Sequence, residues 1–99
     1  MPEYRIRAVI FKRGDHWIAK CLEYGYVLQT SSALEDVPGE LKRALTLQIQ
    51  TSLQLGIDPF TGFKPAARRF WDMYERASPV EESLEHEDSG PEVEVRLAA

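Results

Sequence analysis

The sequence predicts an α+β fold: a two-layer β-β-β-α-(α)-β arrangement with the helices on one face of a sheet. Three observations predict it. Residues 4–11 and 16–23 alternate apolar and polar with period two. A Gly-containing turn separates them. An amphipathic segment with apolar residues every three or four positions then follows up to Leu55.

In the first strand, Tyr4, Ile6, Ala8 and Ile10 share one side and Arg5, Arg7, Val9 and Phe11 the other. Lys12-Arg13-Gly14-Asp15 supplies the turn, and its Arg-Gly-Asp tripeptide reads as a hairpin rather than an adhesion signal. His16 to Glu23 is the return strand. Gly25 marks a bend, and Tyr26 to Thr30 is a third, short strand. Arg5, Arg7 and Lys20 must reach water, which assigns Ile6, Ala8, Ile10, Trp17, Ala19 and Cys21 to the helix-covered face. Val9, Phe11, Ile18 and Leu22 then lie on the outer face. An apolar outer face is either an association surface or the seat of another element.

Ser32 and Glu35 have capping-box spacing. Pro38 disfavours a start so early, because inside a helix it clashes with the carbonyl four residues back. Asp36 is the competing N-cap, with Pro38 in the tolerated first turn. From about Glu40 the stripe Leu41, Ala44, Leu45, Gln48, Ile49 and Ser52 predicts a helix, and Gly56 its left-handed stop. Ile57 to Pro65 is a loop pinned by Phe60 and Phe63. Pro65 to Ala77 reads as a shorter helix carrying Phe70, Trp71 and Tyr74, and Ser78-Pro79 ends it.

The domain spans residues 1–77. Residues 78–91 are an acidic flexible linker, and 92–99 are a final edge strand or a disordered tail. The net charge of −4 is uneven. Residues 1–77 carry 11 Lys/Arg against 9 Asp/Glu, whereas 78–99 carry one Arg against 7 Asp/Glu. The near-neutral domain lacks the basic footprint of a nucleic-acid binder. No apolar run is long enough for a membrane span, and charge interrupts the first fifteen residues too often for a signal peptide. One cysteine makes no internal disulfide, which fits a cytoplasmic protein.

No catalytic constellation is expected. Metal-dependent nucleases need converging carboxylates, and Glu3 and Glu23 sit only at strand ends. His16 and Cys21 point to opposite sheet faces, so no metal or cofactor site is predicted. Cys21 reads as core packing. Phe70, Trp71 and Tyr74 form either a partner anchor or a clamp on the sheet. Arg68, Arg69 and Lys64 add a small basic cluster beside them. The acidic Glu81, Glu82 and Glu85 either cover a basic partner or solubilise the chain. The residues singled out for partner binding are therefore Val9, Phe11, Ile18, Leu22, Arg68, Trp71, Glu81, Glu82 and Glu85.

The stretch HWIAKCLEYGYVLQTSSALEDVPGELKRAL resembles HicB-type domains. Trp17-Ile18-Ala19 stands at that family's second strand, Gln29-Thr30 at its Thr-Gln segment, and Leu34-Glu35-Asp36 at its helix start. CLEYGY keeps the glycine of the family's turn and lacks its prolines, and Pro38 is a further departure. DPFTGFKPAARRFWDMYERA is similar to a segment of short, stand-alone HicB-like bacterial proteins, so the resemblance covers roughly residues 4–77. It implies a partial RNase H-like sheet in which residues 93–97, if a strand, lie parallel beside the first strand. It further implies an antitoxin-type protein-binding module for a small basic ribonuclease toxin, or a solitary homo-oligomeric relative with a scaffolding or regulatory role. Residues 78–99 are too short and acidic for the DNA-binding module that many HicB proteins add.

Overall fold

A computed structural model describes residues 4–79 and 92–98. The described strands form one mixed sheet. Strand β1 (Arg5–Arg13) lies between β2 (His16–Cys21) and β5 (Glu92–Leu97). Strand β3 (Val27–Thr30) is one edge, and the two-residue β4 (Ser78–Pro79) is the other. β1–β2 and β2–β3 pair antiparallel, whereas β1–β5 pairs parallel, from Arg5 with Glu92 to Ile10 with Leu97. The parallel neighbour expected from residues 93–97 is thus present. Residues 78 and 79 pair with β5 instead of opening a linker. Residues 80–91, with the remainder of that predicted linker, lie outside the described residues.

The β1–β2 turn is two residues long. Gly14 takes φ +62°, and among the described residues no non-glycine residue has a positive φ. Glycine at the first central position is what a type II′ hairpin turn requires.

Helix α1 (Val37–Gln54) follows a 3₁₀ turn at Leu34–Asp36. Asp36 occupies the N-cap and Pro38 the first turn, but no side chain caps the helix. The Ser32–Glu35 capping box does not form; the Ser32 hydroxyl donates instead to Glu40 at 2.6 Å. At the other end Gly56, with φ +74°, donates to Leu53 O, and Ile57 donates to Ser52 O. These are the two bonds of a Schellman stop. Leu41, Leu45 and Ile49 bury α1 against Ile6, Ala8, Ile10, Ala19, Cys21 and Val95. The sheet residues assigned to this face pack there, with Trp17 partly buried at its margin.

The expectation of helices on one face only is corrected by α2 (Arg68–Arg76), which packs on the opposite face. Val9 and Leu22 are fully buried beneath Tyr74 and Ala66, with Phe11, Phe70, Trp71 and Met73 around them. The reason is apolar area. A sheet carrying Val9, Phe11 and Leu22 on its second face gains more by covering them with its own amphipathic segment than by leaving them in water. The result is α1, sheet and α2 in three layers.

The chain crosses between layers beside the β2–β3 bend. Phe60 is buried, stacked on Tyr24 at 4.0 Å between ring centroids, with Tyr4 edge-on at 5.6 Å. Ala66 N–H then donates to Leu22 O at 2.8 Å. Gly25, at φ +66°, lies directly against the Lys64 carbonyl, and a β-carbon there would overlap it. Residues 65–67 stay extended for this crossing, so α2 begins at Arg68 rather than at Pro65.

Candidate functional site

Alternation sets which side chains meet α2. On β1 these are Arg5, Arg7, Val9 and Phe11; register places Glu92, Glu94 and Arg96 of β5 beside them. The face is therefore apolar at one end and charged at the other.

Arg7 is the centre of the charged end. Its backbone N–H donates to Glu23 Oε1 at 2.8 Å, and its Nε donates to Glu23 Oε2 at 2.6 Å. Its guanidinium lies 4.7 Å from the centroid of Trp71. The hydrogen bond to Glu23 raises the Arg7 pKa above its ordinary value, partly opposed by desolvation. Arg96 mirrors this arrangement on β5. It sits 4.3 Å over the Tyr74 ring, donates to Tyr74 O at 3.1 Å and approaches Glu94 at 3.9 Å. Lys20 and Arg69 both face Phe70, at 5.2 and 4.7 Å. Cations from the sheet, joined by Arg69 of α2 itself, thus rest against the aromatic rings by which α2 packs.

Where α2 leaves the charged end uncovered, a cleft of about 330 Å³ opens, lined by Arg5, Ile6, Arg7, Glu23, Glu92 and Glu94. Arg5 and Glu92 pair across its rim at 3.4 Å, both largely exposed. Near Glu94 the Tyr74 hydroxyl is buried and makes no hydrogen bond within bonding geometry. Burial, then the neighbouring Glu94 carboxylate, push its pKa up to about 12.

The cleft holds paired charges and no nucleophile. Glu23 is committed to Arg7, and Glu3 lies outside the described residues. Among the described residues no group of three or more His, Cys, Asp or Glu side chains could hold a metal ion. Cys21 is buried, and burial followed by the charge of Glu23 push its thiol up to about 12, so it is held as the thiol. His16 is exposed at the hairpin.

The structure separates the residues singled out from the sequence. Val9 and Leu22 are inaccessible, and Ile18 is 9% exposed. Phe11 stacks on Phe70 at 6.0 Å. The outer face is therefore filled from within rather than open for association. Trp71 is half-buried, packs with Val9 and Leu22 beneath the Arg7 guanidinium and so clamps α2 on the sheet, while its Nε1 donates to Ala66 O at 3.1 Å. Arg68 is exposed at the start of α2. Glu81, Glu82 and Glu85 lie outside the described residues. Sequence reasoning missed the Arg7–Glu23 clasp and the Glu92/Glu94 rim. Parity could have grouped Arg7, Glu92 and Glu94 on one sheet face; Glu23 shares the alternation of Ala19 and Cys21 and reaches Arg7 because β2 ends at Cys21 and the chain turns there. No helix among the described residues is long and apolar enough to cross a membrane. Comparison with models of known protein families, with curated proteins and with solved structures finds no match.

Proposed function

We propose that this chain is a non-catalytic, HicB-like antitoxin-type module that sequesters a small basic protein, a ribonuclease toxin by the family resemblance of residues 4–77. The observation that carries the reading is the carboxylate row on β5. Glu92 and Glu94 are exposed on one sheet face and continue the acidic run that begins at Glu81. Opposite charge of this kind steers a basic partner and rejects acidic ones. The parallel place of β5 beside β1, which the resemblance implies for residues 93–97, supports the reading.

The test is affinity purification of tagged protein from its native cells. A stoichiometric small basic protein is expected. A Glu92→Lys/Glu94→Lys variant should lose it while keeping the wild-type circular dichroism. Recovery of no such protein, or undiminished capture by the charge-reversed variant, overturns the reading. A second reading, a solitary homo-oligomeric scaffold or regulator, is favoured by one observation: the charge-free exposed surface of α1 beyond Arg43.

A further inference from the structure

The solvent side of α1 is unlike the rest of the molecule. Residues 44–57 include none of the chain's 12 Lys/Arg, 16 Asp/Glu or 2 His. The exposed side of a surface helix ordinarily carries charge. Here, beyond Arg43, it carries Leu47, Gln50, Thr51, Gln54 and Leu55, all exposed. Leu47 is 64% and Leu55 70% exposed. Arg43, Leu47, Thr51 and Leu55 are spaced by four, so they form one continuous ridge opposite the buried Leu41, Leu45 and Ile49.

We propose that this ridge is the interface between two copies of this chain, packed antiparallel about a two-fold axis at Thr51. Three features select a second copy. A two-fold interface sets a patch against itself, so like charges near the axis would repel; this ridge has none there. Pairing about Thr51 seats Leu47 of each protomer on the partner's Leu55, so the two exposed leucines bury each other twice. The same register brings Arg43 beside the C-terminal end of the partner's α1. That helix end carries no basic residue of its own in its last turn. A cation delivered there meets the negative end of the helix dipole. A strongly basic or acidic partner would find nothing on residues 44–57 to pair with.

The interface lies on the α1 side of the sheet, whereas Glu92 and Glu94 face the α2 side. The inference therefore goes beyond the sequestering role: dimerisation leaves both carboxylate rows free.

Light scattering on the full chain is expected to give twice 11.3 kDa. Leu47→Glu and Leu55→Glu should each halve that mass with unchanged circular dichroism. Cysteine cross-linking guards against a folding artefact. Thr51→Cys should form an intermolecular disulfide under mild oxidation, while the buried Cys21 does not. Leu47→Cys mixed with Leu55→Cys should cross-link more than either alone, as antiparallel pairing requires. A wild-type mass of one chain at high micromolar concentration overturns the proposal. So does a dimer that survives both Leu→Glu changes, or a mixture that cross-links no better than its components.

Discussion

Glu23 holds Arg7 at two points, accepting from its backbone N–H and from its Nε. One carboxylate thus satisfies a main-chain donor just beyond the last β1–β2 pair and neutralises a guanidinium at a sheet–helix contact. Glu23→Ala removes both bonds and is expected to lower stability by about 1–2 kcal/mol, the partial exposure of Arg7 limiting the loss. Glu23→Gln keeps a carbonyl acceptor and should cost less. Urea unfolding midpoints measure both, and equal losses would contradict this account.

Gly25 combines a positive φ with contact against the Lys64 carbonyl. Gly25→Ala should destabilise by about 2 kcal/mol or more, because the backbone conformation and the space both exclude a β-carbon. Gly14→Ala has the same conformational problem in open space and should cost less. Thermal melts of the two variants, compared directly, check the order.

Val9 is fully buried under α2. Val9→Asp is expected to unfold the domain or cost about 3 kcal/mol or more, since an unpaired carboxylate enters an apolar layer. A folded Val9→Asp protein with wild-type stability would mean that α2 does not cover this face.

Cys21 and Tyr74 both have pKa values pushed up to about 12, chiefly by burial. In the unfolded chain they lose protons at lower pH. The unfolded state then binds fewer protons, so stability falls as pH rises. The expected window opens near the ordinary thiol and phenol values, about 8.5 and 10, and extends towards 12. Denaturation midpoints should be flat from neutrality to about pH 8 and decline above it. Native protein at pH 8 should resist iodoacetamide, while urea-unfolded protein is alkylated at Cys21.

Much of the fold was legible because local pattern and tertiary need agree. Alternation assigned the α1-facing residues of β1 and β2, Pro38 and Asp36 located the start of α1, and Gly56 its end. The second face was illegible for a physical reason. Val9, Phe11 and Leu22 alternate along their strands with Arg7 and Lys20 or lie beside Glu23, so the face reads equally as a wet association surface or as a covered one. What decides is a distant segment, Phe70 to Tyr74, whose rings accept those cations while burying the apolar positions. Of the candidate site, Trp71 and Arg68 were visible as residue types. The cleft beside Glu92 and Glu94 depends on β5 arriving next to β1, which no local pattern encodes, and the clasp of Arg7 by Glu23 depends on the chain turning out of β2 after Cys21.

That arrival has a consequence for how the protein is made. Arg5 finds its sheet partner only at Glu92. During synthesis β1 can zip to β2 early, but its other flank stays an unpaired apolar edge until translation is nearly through the described chain. Pairing across such a sequence separation is slow, and open strand edges invite mispairing with other chains. An edge left open over that interval is exposed to mispairing, and synonymous codons that slow residues 80–92 should reduce the yield of folded protein without altering a single amino acid.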